Sequence, residues 1–70
     1  KIALQAAAKA NTLTQGKDPT ILDTYALALF ENEQIDEAIA QQQKAVELSE
    51  GNEQLHSQLA KQLEKYKNAM

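Results

Sequence analysis

One histidine and the serine that follows it are the residues of this chain that nucleophilic catalysis most often uses. They are His56 and Ser57. Neighbouring side chains on a helix point about 100° apart and do not face each other, so a helical segment here forms no local Ser–His pair. The chain has no cysteine and no second histidine, so neither thiolate nor imidazole ligands are present to complete a zinc site around His56.

Four carboxylates bracket one short polar stretch and are the next candidates for chemistry. They are Glu31, Glu33, Asp36 and Glu37. Paired carboxylates that act as acid and base need a cleft with an apolar wall, and an exposed turn offers neither. Asp36 and Glu37 suit the positive end of a helix that begins at this point, which accounts for them without catalysis.

A basic stripe is predicted near the end of the chain. Lys61 and Lys65 are four residues apart and share one helix face, with Lys67 nearby. The stripe could receive an acidic peptide segment. A solvated helix surface, on which Glu64 relieves the repulsion between the lysines, is the interpretation that we favour.

Composition limits the fold and the class of function. The 70 residues are 43% hydrophobic but only 4% aromatic, and they are rich in Ala, Leu, Gln, Glu and Lys, which are strong helix formers. We predict one small all-α domain, which buries only about 60% of its unfolded surface. The net charge of −3 argues against a nucleic-acid partner, and no apolar run approaches the roughly 18 residues of a membrane span. No cofactor is predicted.

Helix start and stop signals divide the chain. Gly16 suits a left-handed helix end, and Asp18 and Pro19 suit the N-cap and first position of the next helix. Gly51 and Asn52 are expected to repeat this pattern. The third break is a polar tetrapeptide, Glu31 to Gln34, without glycine or proline. Four helices follow, at about residues 2–14, 19–32, 35–49 and 53–68. Because the chain opens at Lys1 inside a helical pattern, we expect it to be a piece of a longer protein.

The first and third predicted helices resemble each other in sequence. Lys9-Ala10 recurs as Lys44-Ala45 at an offset of 35, and Leu13 recurs as Leu48 at the same offset. The second and fourth segments align at an offset of 34, with Tyr25-Ala26 on Leu59-Ala60. Self-similarity of this kind predicts stacked helical units of about 34 residues, with one residue inserted in the first turn.

The predicted core follows the helical period. Apolar residues recur three and four apart in the second and third helices, and the small residues among them let the two helix axes approach closely. A connection of two to four residues makes these helices antiparallel neighbours. The predicted core residues are Leu22, Tyr25, Ala26, Leu29, Ile35, Ala38, Ile39, Ala45 and Leu48. The three glutamines Gln41, Gln42 and Gln43 are expected on a solvated helix back.

These residues resemble the tetratricopeptide repeat. The pattern runs Pro19-x-x-Leu22-x-x-Tyr25-Ala26-x-Ala28-Leu29, then Ile35-Asp36-Glu37-Ala38-Ile39, then Lys44-Ala45-Val46-Glu47-Leu48. The resemblance implies one full repeat at 19–52, the second helix of a preceding repeat at 1–16 and a solvating C-terminal helix at 53–68. It also implies a right-handed superhelical stack of antiparallel helix hairpins, with a concave groove that binds peptides of partner proteins.

The chain departs from the family pattern at several positions. Glu33 stands where the family has glycine in the turn, and a left-handed conformation there costs a non-glycine residue on the order of 1 kcal/mol. Asn32 is expected to absorb part of this strain. Gln42 stands where the family places an aromatic residue, and Glu50 stands where it places proline. These substitutions predict a thin core.

The resemblance also implies the residues of the groove and a role for the histidine. The groove residues carried over are Thr20, Asp23, Leu27, Phe30, Glu31, Gln54, Ser57, Lys61, Glu64 and Lys65. The subfamily that clamps a C-terminal carboxylate needs Lys, Asn and Arg at set positions, which read Thr20, Thr24, Leu27, Gln54, Gln58 and Lys61 here, so that ligand is not supported. His56 is placed on the inward-leaning side of the last helix in a packing role, with a pH-dependent contact and a metal ligand as alternatives.

Leu27 and Phe30 lie off the core stripe and three residues apart, so they could form an exposed apolar patch. One interpretation is an anchor pocket for a partner, since aromatic residues are favoured as anchors at interfaces. The other is contact with a preceding repeat or with the last helix. Both stay open at this point.

Two non-enzymatic functions are compatible with these patterns. The first is a protein–protein interaction module that binds a partner peptide or docks a neighbouring domain. The second is a structural or dimerisation appendage of an enzyme domain located elsewhere in the parent chain. One face of the first helix is expected to meet a helix that precedes this chain, which makes a homodimer through that face possible. Its residues are Ile2, Ala3, Ala6, Ala7 and Ala10.

Overall fold

The described part of the chain forms four helices, as the sequence predicts. The computed structural model describes the backbone of residues 2–69 and the side chains of residues 5–69. The helices are α1 (Ile2–Leu13), α2 (Pro19–Glu31), α3 (Ile35–Leu48) and α4 (Glu53–Asn68). No strand occurs among the described residues. The all-α prediction is confirmed, and every predicted helix boundary lies within one residue of the observed one.

Side-chain caps begin the second and fourth helices. The Asp18 carboxylate accepts hydrogen bonds from the backbone N–H groups of Thr20, at 2.9 Å, and Ile21, at 3.3 Å. The Asn52 side chain accepts one from the Leu55 N–H at 3.1 Å. Each cap satisfies N–H groups that have no partner inside the helix. Both predicted N-caps are therefore confirmed.

The polar tetrapeptide Glu31 to Gln34, which ends α2 without a glycine, forms a Schellman motif. Glu33 is left-handed, with φ +65°, and its N–H donates to the Phe30 carbonyl at 3.0 Å. The Gln34 N–H reaches back to the Leu29 carbonyl at 2.9 Å. These two hydrogen bonds satisfy carbonyls that have no partner at the helix end. They stabilise the left-handed conformation of Glu33, which costs on the order of 1 kcal/mol for a non-glycine residue. Asn32 is not left-handed, and its Nδ2 donates to the Ala28 carbonyl at 2.7 Å.

The end of α1 repeats this motif with a glutamine in the left-handed position. Gln15 has φ +58° and donates to the Thr12 carbonyl at 3.0 Å, while the N–H of Gly16 reaches the Asn11 carbonyl at 2.8 Å. Gly16 is also left-handed, as predicted, with φ +67°. The matching prediction for Gly51 is wrong, since its backbone is not left-handed. The helix end at α3 closes instead with the Ser49 N–H on the Val46 carbonyl at 3.2 Å.

Consecutive helices pack on each other, α1 on α2, α2 on α3 and α3 on α4. The short connections make each pair an antiparallel hairpin. Ala26, Ala38 and Ala45 are fully buried, so the small residues do lie where α2 and α3 meet. The core of the described residues includes two buried clusters. The first contains Ala26, Leu29, Ala38 and Tyr66, and the second contains Leu22, Ala45 and Leu59.

The buried line of α3 differs from the predicted one. It consists of Ala38, Gln42, Ala45 and Ser49, spaced four, three and four residues apart. Leu48 lies beside this line at the end of the helix and is 43% exposed, so its prediction as core is wrong. Among the other predicted core residues, Tyr25 and Ile39 are half-buried against the first cluster, and Ile35 is half-buried.

Part of the α1 face that was expected to meet a preceding helix is buried within the described structure. Ala7 is buried and Ala10 half-buried by the described residues themselves, so the expectation that Ala7 meets an absent helix is wrong. The physical reason is that α1 packs directly on α2. Ala6 is exposed. The side chains of Ile2 and Ala3 lie outside the described residues.

Candidate functional site

A groove of about 440 Å³ lies between α2 and α4. Both walls are helical, and side chains on helices are positioned more precisely than side chains on loops. The lining combines a hydroxyl, a carboxylate, two amides and two aliphatic side chains. These residues are Thr20 and Asp23 on α2, and Leu55, Gln58, Leu59 and Gln62 on α4.

A buried glutamine of α3 joins the two walls of this groove. Gln42 is 0% exposed. Its Nε2 donates to Asp23 Oδ1 on α2 at 2.9 Å and to the Leu59 carbonyl on α4 at 3.1 Å. Both partners can only accept, which fixes the orientation of the amide. Gln42 therefore sets the position of one groove carboxylate and ties α2 to α4 through α3.

The expectation that the three glutamines form a solvated back is wrong for Gln42. Gln43 is exposed and Gln41 is half-buried, with its Nε2 on Glu37 Oε2 at 3.1 Å. Position 42 lies on the buried line of α3, where the resemblance places an aromatic residue. Gln42 Oε1 is buried without a hydrogen-bond partner among the described residues, a cost of about 1–3 kcal/mol that its two donated bonds offset.

An aromatic pair joins the same two helices. Phe30 of α2 stacks on Tyr66 of α4, with ring centroids 4.6 Å apart and planes inclined by 21°. Tyr66 is 1% exposed, and its Oη accepts a hydrogen bond from Gln62 Nε2 at 3.0 Å. Phe30 is half-buried against the first core cluster, so contact with the last helix is the interpretation that holds. Of the two alternatives left open for Leu27 and Phe30, the exposed patch is not formed, because Phe30 packs on Tyr66 and only Leu27 is exposed.

Burial raises the pKa of the Tyr66 phenol above its ordinary value. The hydrogen bond donated by Gln62 acts in the opposite direction, because it favours the phenolate. The carboxylates of Asp23 and Glu31 raise the pKa further through charge repulsion with the phenolate. Tyr66 therefore stays protonated at neutral pH.

The groove residues carried over from the resemblance fall into two groups. On α2, Thr20 and Asp23 line the groove, while Leu27 and Glu31 are exposed outside its lining. On α4, the five predicted residues are exposed and none of them lines the groove. They are Gln54, Ser57, Lys61, Glu64 and Lys65.

The α4 lining could have been found from the sequence. Leu55, Leu59, Leu63 and Tyr66 recur four, four and three residues apart, which is the apolar stripe of this helix. Gln58 and Gln62 lie next to that stripe, each within reach of the groove. The groove residues that the family resemblance implied on α4 lie one position away from the observed lining, on the polar side of this stripe.

His56 joins α4 to the end of α3. Its Nδ1 lies 2.9 Å from the Val46 carbonyl and 3.3 Å from Ser49 Oγ, which itself donates to the same carbonyl at 2.8 Å. Because a carbonyl can only accept, Nδ1 carries a proton in this arrangement and cannot take one from Ser49. The contact is a link between helices rather than a nucleophile–base pair. His56 is half-buried, as expected, and Ser57 is exposed.

Neither a metal-binding cluster nor a membrane-spanning helix is found in the described part of the chain. No group of three or more His, Asp or Glu side chains there is arranged to hold a metal ion. No helix in that part of the chain has the length and apolarity to cross a membrane. Comparisons of the chain with protein-family models, with curated proteins and with solved structures found no match.

Proposed function

We propose that this chain is a protein–protein interaction module of the tetratricopeptide type, which binds a segment of a partner protein in the groove between α2 and α4. In this proposal residues 19–52 form one full repeat, residues 1–16 the second helix of a preceding repeat and residues 53–68 the C-terminal helix. The repeat pattern of the sequence and the four-helix hairpin architecture support the proposal.

The groove is the observation that carries this function. Its aliphatic side chains, Leu55 and Leu59, can cover apolar parts of a peptide. Its polar side chains, including Gln58 and Thr20, can hydrogen-bond the peptide backbone or fix its orientation. Rigid helical walls reduce the entropy that binding would cost.

Two glutamines of α4, each replaced by arginine, test the proposal. Gln58 lines the groove, whereas Gln54 is exposed outside it. Peptides selected from a displayed random library on the unaltered chain are titrated, by fluorescence anisotropy, against Gln58→Arg and Gln54→Arg. Gln58→Arg fills the groove and is expected to weaken binding at least about tenfold, or 1.4 kcal/mol. Gln54→Arg should leave Kd unchanged.

Two results would overturn the groove as the binding site. One is a selection that yields no peptide binding above a scrambled control. The other is a selected peptide whose affinity is unaffected by Gln58→Arg, because its site would then lie elsewhere. Circular dichroism of both variants establishes that each has kept its helical fold.

A second candidate is a structural or dimerisation appendage of an enzyme domain in a longer parent chain. Three large apolar side chains favour it, because they are exposed on the described chain: Leu13 at 76%, Leu27 at 42% and Leu48 at 43%. Dimerisation through α1 would cover Leu13. Sedimentation equilibrium should then give a dimer that Leu13→Glu dissociates, and a monomer at every concentration would contradict it.

A further inference from the structure

Asp23 is the one charged residue among those that line the groove. It is half-buried, and its Oδ1 accepts a hydrogen bond from the neutral amide of Gln42 at 2.9 Å. A neutral donor orients the carboxylate without cancelling its charge, and it leaves Oδ2 for a ligand. We infer that the groove takes a lysine or arginine side chain of the partner segment, with Asp23 as its anionic contact. This inference rests on the proposed function.

The rest of the lining suits the shape of a long cationic side chain. Leu55 and Leu59 provide an apolar surface for the methylene stem, which lysine and arginine bury readily while the charged head stays polar. The Nε2 of Gln62 is held by Tyr66, so the Gln62 amide oxygen is left as an acceptor. A cation at Asp23 would thus gain charge-assisted hydrogen bonds, which are stronger than neutral ones.

The charges around the groove also favour a cationic side chain. Asp23 supplies the negative charge of the groove lining, and Glu31 is a further carboxylate on the same helix. The whole chain carries a net charge of −3, which attracts a basic segment from a distance. An acidic side chain would meet repulsion at Asp23, and an aliphatic one would desolvate the carboxylate without replacing its hydrogen bonds.

Capped peptide pools that differ in one residue test the inference on the full chain. Each pool has a fixed central lysine, arginine, norleucine or glutamate between randomised neighbours. Binding is followed by amide shifts of the ¹⁵N-labelled chain at groove positions such as Thr20, Gln58 and Gln62. The lysine and arginine pools should bind about tenfold more tightly than the norleucine pool. That preference should fall as ionic strength rises.

Asp23→Asn removes the charge of Asp23 while nearly keeping the size of its side chain, so it tests the charge separately from the packing. Asparagine keeps a side-chain oxygen that can accept the hydrogen bond from Gln42, so the fold is expected to persist while the preference for lysine over norleucine disappears. Asp36→Asn is the matched control, because Asp36 is exposed on α3 and lies outside the groove lining. It should leave the preference intact. The dispersion of the amide spectrum reports whether each variant is folded.

The remaining outcomes separate the two levels of the proposal. If the norleucine or glutamate pool shifts the groove amides as strongly as the lysine pool, the cation inference fails and the groove remains a binding site. The cation inference also fails if Asp23→Asn, folded, keeps the preference for lysine. If no pool shifts the groove amides, the proposed function fails together with the inference.

Discussion

Phe30 and Tyr66 stack across the gap between α2 and α4, with ring centroids 4.6 Å apart. The two helices belong to different hairpins, and α3 lies between them in the chain. Tyr66 also accepts a hydrogen bond from Gln62, a groove residue. The ring pair therefore holds the two walls of the groove together at one end, as the Gln42 amide does at the contact between Asp23 and Leu59.

Replacing Phe30 with alanine should destabilise the fold strongly. The substitution removes a half-buried ring and its stacking contact, which is expected to lower the free energy of unfolding by about 2–3 kcal/mol. Leu27→Ala is the control, because Leu27 is exposed and should change it by less than about 1 kcal/mol. Urea denaturation followed by circular dichroism measures both. A larger loss from Leu27→Ala than from Phe30→Ala would contradict this packing of the two rings.

Tyr66 should make the fold sensitive to alkaline pH. Its pKa is raised from the ordinary value of 10.0, chiefly by burial. The unfolded chain therefore loses this proton at a lower pH than the folded chain does. The stabilisation is fully present below about pH 10 and is lost as the pH rises through the folded-state pKa.

Tyr66→Phe is the control for this pH dependence, since it keeps the ring and removes the ionisable group. The free energy of unfolding of the unaltered chain should fall more steeply above about pH 10 than that of Tyr66→Phe. Urea denaturation at a series of pH values gives both curves. Parallel curves would mean that the Tyr66 phenol ionises equally well in the folded and unfolded states.

Gln42→Ala should lower the free energy of unfolding far more than the same substitution at the next residue, Gln43. It leaves the Leu59 carbonyl and Asp23 without their amide donor and opens a cavity in the core, which together are expected to cost about 2–4 kcal/mol. Gln43→Ala alters an exposed side chain and should stay within about 0.5 kcal/mol. Equal values for the two variants in urea denaturation would show that Gln42 is not a core residue.

Glu33→Gly should stabilise the protein, although it removes a side chain. Glycine adopts the left-handed conformation of residue 33 without steric cost, and this relief outweighs the added flexibility of the unfolded chain by about 0.5–1 kcal/mol. Glu50→Gly is the matched control, because Glu50 is also an exposed turn residue but is not left-handed. The thermal midpoint should rise for Glu33→Gly and not for Glu50→Gly.

Helix boundaries and caps could be predicted because their causes are local. The Asp18 and Asn52 side chains bond N–H groups two or three residues away, so the residue types alone indicate where α2 and α4 begin. The left-handed turn at Glu33 was harder to predict, since its two bonds run to carbonyls three and five residues back. Gln15 was missed because a glutamine does not indicate a left-handed conformation.

The groove depends on contacts between residues far apart in the sequence. Composition and spacing were sufficient for the four helices and the close approach of α2 and α3 through alanines. The family resemblance, not the spacing, implied Thr20 and Asp23 as groove residues, and both line the groove. The tertiary structure was needed to show that Gln42 is buried and that Phe30 stacks on Tyr66. Local periodicity identifies the apolar side of each helix, whereas its rotation against its neighbours is set by side-chain packing and buried hydrogen bonds between helices.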